Sequence, residues 1–318
     1  MNIRKLKALP ALVRWPNLFI ILLTQVLVFY ALIGRYYQQG NQHPALTIFQ
    51  FSLLVVATVL IAAAGYAIND YFDAEADQIN KPEKNHVGKL YKPEAVVWGY
   101  AIANLLAVGA GFYLSLQLDS YRLGLIFPMI VIMLWFYSAT YKRKVLSGNV
   151  SVAFMSALVI LIVWLFEFFA LRLQPGKFIW VYQSLWSITY VVLGYAGFAF
   201  LVSLVREIVK DMEDAAGDSA IGCRTLPVVY GAMVAVRVSQ ALLGLVFLLL
   251  VFSAYWLFQQ KSVITSLYYL VLIGSLVLSL IYRIHKVREP QQLHSLSRQL
   301  KLLMLAGIAG MILFAFYL

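Results

Sequence analysis

The sequence predicts an all-α, polytopic membrane protein: a bundle of nine transmembrane helices with two aspartate-rich cytoplasmic motifs. Three observations lead there. Of 318 residues, 62% are apolar and 12% charged, against about 45–50% and 25% in soluble domains. The apolar residues gather into runs of about 20, the length of a helix that crosses a bilayer. The basic residues segregate between those runs as membrane topology requires. This composition also excludes disorder, which needs low hydrophobicity. The single cysteine, Cys223, excludes an internal disulfide.

The nine runs fall at about 16–34, 46–68, 93–117, 122–139, 150–171, 179–205, 229–258, 263–284 and 299–318. The basic start (Arg4, Lys5, Lys7, Arg14) leads into the first run with no small-residue cleavage site, so it reads as a retained helix. Only Leu118–Tyr121 separates the third and fourth runs. Asp119 and Arg122 there predict a tight external turn. Placing the N-terminus in the cytoplasm puts 20 of the 25 Lys and Arg on that side. The other side holds Arg35, Arg122, Arg172, Lys177 and Lys261. The C-terminus then lies opposite the N-terminus. The net charge of +11 is therefore topological, and nucleic acid is not expected as a partner. Asn41–Pro44 and Gln174–Lys177 read as short outside loops. No Pro/Gly/Ser linker divides the chain, so residues 1–318 read as one domain. Oligomeric state is left open.

The acidic residues carry the functional signal. Nine of 14 lie in two short segments on the basic side: Asp70, Asp73, Glu75 and Asp77, then Glu207, Asp211, Glu213, Asp214 and Asp218. Asp70, Asp73 and Asp77 stand at i, i+3 and i+7, as do Asp211, Asp214 and Asp218. On a helix these steps return to one face. Each triplet follows an apolar run, the second and the sixth, which points to two related halves. Like charges so spaced repel, so each stripe needs something positive. Oxygen ligands suit hard cations, and Mg2+ is usually shared between a few carboxylates and substrate phosphates. Two such stripes fit a Mg2+–diphosphate site. A cation transporter is the competing class. Its site would lie near the membrane midplane, whereas both stripes sit at the ends of apolar runs, beside lysines.

These residues resemble the UbiA superfamily of intramembrane prenyltransferases. Asn69-Asp70-Tyr71-Phe72-Asp73-Ala74-Glu75-Ala76-Asp77 resembles that family's NDxxDxxxD. The segment from Arg206 to Asp218, trailed by Gly222, Thr225-Leu226-Pro227 and Gly231, resembles its second aspartate-rich segment. Tyr137-Ser138 through Lys142-Arg143 to Gly148-Asn149, and Arg14-Trp15-Pro16-Asn17, resemble its turn after the fourth helix and its entry to the first. Nine helices is also the family's count. One departure concerns the stretch after the first motif, where Lys81 and Lys84 stand in place of the family's arginines. Lysine keeps the charge without the bidentate fork.

The resemblance implies Mg2+-dependent transfer of a prenyl group from a prenyl diphosphate to a lipid or aromatic acceptor. It implies a metal set of Asp73, Asp77, Asp214 and Asp218, with Asn69, Asp70 and Asp211 at the same centre. Lys81, Lys84, Lys142, Arg143 and Lys210 become diphosphate contacts, and Arg14, Asn17 and Ser138 the acceptor side or mouth. The second motif is most similar to members that prenylate geranylgeranylglyceryl phosphate. Quinone-pathway members, which alkylate a ring such as 4-hydroxybenzoate, are the alternative. Glu167 and Arg237 are charges inside apolar runs, expected to snorkel from near helix ends. The basic segment Arg283–Lys301 reads as a cytoplasmic loop or interfacial helix suited to anionic lipid or to capping the mouth.

Overall fold

The computed structural model describes residues 3–38, 40–74, 87–287 and 290–317. Every regular element among them is helical. In chain order these are α1 (Ile3–Leu12), α2 (Trp15–Gln38), α3 (Ile48–Phe72), α4 (Pro93–Gln117), α5 (Tyr121–Ala139), α6 (Ser147–Arg172), α7 (Pro175–Ala220), the short α8 (Leu226–Tyr230), α9 (Ala232–Gln259), α10 (Val263–Lys286) and α11 (Pro290–Tyr317). Nine of the described helices, all but α1 and α8, are long and apolar enough to cross a membrane. The chain is an integral membrane protein. Apolar side chains such as Leu105 (74% exposed) and Phe252 (68%) stand bare on these helices, as lipid-facing residues do.

The helix ends follow from local chemistry. A capping box starts α3: the Thr47 hydroxyl accepts the Gln50 N–H (3.2 Å), and the Gln50 side chain accepts the Thr47 N–H (2.9 Å). Pro93 opens α4, where its missing N–H costs nothing. Asp119 takes a left-handed conformation (φ 51°) between α4 and α5, giving the tight turn expected there.

Two helices outrun their apolar stretches. The run predicted to stop at 205 continues as helix to Ala220, far past the ~20 residues a crossing needs. Its last turns are therefore polar and carry Asp211, Asp214 and Asp218. Likewise α11 begins at Pro290 rather than 299. The Arg283–Lys301 segment is thus helical up to Lys286 and again from Pro290.

Contacts divide the chain into two units. The first comprises Met1–Gln25, Ala45–Lys142 and Leu165–Pro175. Within it α3 packs along α4 and α5. The Phe127 ring presses so close to Gly111 that a Cβ would lie 2.2 Å from it, the small-residue contact that membrane helices use in place of hydrophobic drive. Glu167 departs from expectation. Rather than snorkelling it is fully buried, and its carboxylate accepts the N–H groups of Ala45 (2.5 Å) and Leu46 (3.0 Å). Gln174 takes the Ala45 carbonyl (2.9 Å). These bonds fasten the approach to α3.

The second unit comprises Val26–Pro44, Arg143–Trp164 and Gly176–Leu318. Here α7 packs on α9 and α11, with Gly307 of α11 against Phe198 of α7 (2.6 Å to a built Cβ). Wide π-type turns interrupt α2 at Val28–Ile33 and α10 at Tyr268–Ile273. In the second, Tyr269 exchanges a buried hydroxyl hydrogen bond with Tyr195 of α7.

Candidate active site

In the first unit, α3 ends on Asn69-Asp70-Tyr71-Phe72, and Asp73 caps it by bonding its N–H to the Asn69 carbonyl (2.9 Å). That turn brings Asn69 and Asp73 side by side. Asn69 Nδ2 donates to Asp73 Oδ2 (2.8 Å). Lys142, in the turn after α5, donates from Nζ to Asp73 Oδ1. Both oxygens of Asp73 are therefore engaged, with its side chain 26% exposed. Asn69 Oδ1 is buried and has no hydrogen-bond partner among the described residues. An orphan acceptor of this kind costs about 1–3 kcal/mol, and a hard cation or a ligand donor would relieve it.

Asp70 accepts from Arg14 Nη2 (2.8 Å). Arg14 sits in the link between α1 and α2 with φ 52°, its guanidinium 5.1 Å from the centre of the Tyr66 ring. Burial would lower the pKa of that guanidinium. Attraction to Asp70 and the bond to it outweigh burial and hold it above the ordinary arginine value. Asn17 lies one turn on, its N–H bonded to the Arg14 carbonyl (2.8 Å). Ser138 is only 1% exposed in the last turn of α5. Asp77, Lys81 and Lys84 lie outside the described residues.

In the second unit, Asp211, Asp214 and Asp218 lie on the continuous helix α7. At about 100° per residue, the latter two fall within about 60° of Asp211, so they form the expected stripe. Asp211 Oδ2 accepts from Asn149 Nδ2 of α6 (2.7 Å). Lys210 bonds Glu207, with Nζ 3.0 and 3.1 Å from its two oxygens, and Arg206 donates to the same carboxylate (2.9 Å). Glu213 pairs with His294 of α11 (2.9 Å). Arg143 is exposed, and its carbonyl accepts the Arg224 N–H (2.8 Å).

The donors suit Mg2+: they are carboxylates and an amide oxygen, with no thiolate or imidazole among them. Among the described residues no three His, Cys, Asp or Glu side chains close on one point. Lys142 and Arg14 instead neutralise Asp73 and Asp70, and Lys210 neutralises Glu207. Sequence reasoning missed Asn149 and Glu207 as partners, although both stand in the stretches that carried the family resemblance. Nothing in the sequence marked His294, 81 residues from Glu213.

A family model described as the UbiA prenyltransferase family matches residues 15–314. The chain is 34% identical over 189 residues to the digeranylgeranylglyceryl phosphate synthase of Methanothermobacter thermautotrophicus, covering 58% of this chain and 57% of that protein. It is 30% identical over 262 residues to the enzyme of the same name from Hyperthermus butylicus, covering 78% and 76%. The first three curated relatives are matched over only 57–62% of their length. A solved structure concerned with digeranylgeranylglyceryl phosphate synthase in membranes superposes with a TM-score of 0.68 at 22% identity, covering 99% of this chain and all of that one. A UbiA homologue from Archaeoglobus fulgidus, bound to GPP and Mg2+, superposes with a TM-score of 0.58 at 16% identity, covering 95% and 99%.

Proposed function

Since the chain belongs to the UbiA prenyltransferase family, we propose that it transfers a prenyl group from a prenyl diphosphate to geranylgeranylglyceryl phosphate within the membrane, with Mg2+. The acceptor rests on the name that the similar relatives carry. The observation that carries the chemistry is the Asp73 centre. A carboxylate is held there by Asn69 and Lys142 beside an orphan amide oxygen.

In this reading Asp73, Asp77, Asp214 and Asp218 hold the metal, supported by Asn69, Asp70 and Asp211. Bound Mg2+ would offset the charge that develops on the leaving diphosphate. Lys81, Lys84, Lys142, Arg143 and Lys210 serve the remaining phosphate oxygens. The allylic C–O bond breaks with its electron pair leaving on diphosphate. The acceptor's primary hydroxyl oxygen then closes on that carbon and forms the ether, its proton passing to the departed diphosphate. Apolar helix walls keep water from the cation. Arg14 and Asn17 mark the acceptor mouth, with Ser138 in its wall.

The same reading makes residues 1–318 one catalytic domain. It puts the N-terminus and the active site in the cytoplasm and the C-terminus opposite, as the 20-to-5 division of Lys and Arg supports. The test uses purified protein, radiolabelled geranylgeranyl diphosphate and Mg2+. Geranylgeranylglyceryl phosphate and 4-hydroxybenzoate are offered in parallel, with EDTA as control. Product with the glyceryl phosphate alone, abolished by EDTA and restored by Mg2+, is expected. Product with the aromatic acid alone overturns the acceptor. Absence of both product and Mg2+-dependent donor binding overturns the enzyme.

A further inference from the structure

A cleft of about 250 Å3 opens where α10 meets α11, lined by Tyr282, Arg283, Lys286, Gln292, Ser295 and Gln299 among others. At ~30 Å3 per water this equals about eight waters, room for a phosphate and the atoms beside it. None of these residues belongs to the aspartate segments. Two cations face the cleft from the end of α10. Arg283 is exposed and makes no hydrogen bond or ion pair among the described residues. Lys286 donates to the Tyr282 hydroxyl (2.5 Å) and lies 4.4 Å from the centre of its ring. An ammonium has three donors, so two remain to serve a ligand. Opposite, Gln299 donates to the Ser295 hydroxyl (3.4 Å), leaving that O–H to turn inward.

The position adds to the chemistry. The helices that meet here are both long and apolar enough to cross a membrane, and the cleft lies where one ends and the next begins. Tyr282 is 61% exposed beside the cations, and tyrosine is enriched where membrane meets water. The stretch from Arg283 to Lys301 holds five Lys and Arg against one acidic residue, Glu289.

We propose that this cleft binds a phosphate-bearing ligand at the membrane surface, through Arg283 and Lys286 with Ser295 and Gln292. The chemistry fits the phosphate of a lipid headgroup or a free phosphate, and charge at a surface attracts both.

The experiment is native mass spectrometry of the full chain in detergent. The probes are dioctanoyl phosphatidylglycerol, dioctanoyl phosphatidic acid, dioctanoyl phosphatidylcholine and inorganic phosphate. The expected result is retention of the two anionic lipids at least tenfold above phosphatidylcholine. The double variant R283Q/K286Q should lower that toward the phosphatidylcholine level, by up to about 25-fold at about fivefold per charge. R237Q/R298Q removes two exposed charges that do not line the cleft and should change retention less than threefold. Inorganic phosphate competing at the lipid's own concentration assigns the site to free phosphate. Weak competition assigns it to the headgroup. Equal loss in both double variants, or unchanged retention in R283Q/K286Q that elutes as a monodisperse peak, overturns the proposal.

Discussion

Replacing Lys142 by Met removes the positive charge on Asp73 Oδ1 and leaves the Asn69 amide bonded to the other carboxylate oxygen. The effect on stability is bounded by the surroundings. The two side chains are 16% and 26% exposed, between surface pairs worth up to about 1 kcal/mol and buried pairs costing about 3–5 kcal/mol to break. A loss of about 1–2 kcal/mol is expected, lowering Tm by roughly 1.5–3 °C. Turnover should fall much further. A donor aimed at developing charge is worth about 100-fold, or about 2.7 kcal/mol at 1.36 per tenfold. Lys142→Arg keeps the charge and should recover at least a tenth of the wild-type rate. In the cycle with Asp73→Asn, the double variant should be little slower than D73N alone, since the proposed function has both residues act on one diphosphate. The assay is prenyl transfer at saturating Mg2+ beside thermal unfolding in the same detergent. Full turnover in K142M refutes the reasoning, as does a rate loss that tracks Tm and is equal in K142R.

The remaining expectations test other joints of the structure. Glu167→Ala strands the Ala45 and Leu46 N–H groups and at about 1–3 kcal/mol each should cost about 2–6 kcal/mol. Glu167→Gln keeps one acceptor and should cost about half, both read as Tm. Asn149→Ala removes the 2.7 Å bond to Asp211 and should slow prenyl transfer about tenfold. Asn149→Asp places like charge there and should slow it more, with a raised Mg2+ requirement in titration. Gly307→Ala drives a methyl to within 2.6 Å of Phe198 and should cost about 1–3 kcal/mol by thermal unfolding.

Much of the fold and part of the site are readable without coordinates. Crossing a bilayer demands about 20 apolar residues whatever the partners, so the run ending at Gln117 and the next ending at Ala139 carry their own boundaries. The turn at Asp119 is equally local. The face shared by Asp211, Asp214 and Asp218 follows from helical pitch alone. The two misplaced ends have one cause. Hydropathy reports where lipid stops and not where helix stops, so the apolar runs end at 205 and begin at 299 while the backbone is helical on to Ala220 and already from Pro290.

What the linear chain determined about this protein is its solvent, its crossings and the chemistry of its acidic segments, because each is a property of neighbours in sequence. What only tertiary structure decided is who satisfies whom. Lys142 reaches Asp73 across 69 residues, Asn149 reaches Asp211 across 62, and Glu167 reaches Ala45 across 122. In a medium without water, each buried polar group must find its partner inside the protein. Spacing along the chain does not say which one packing will bring near.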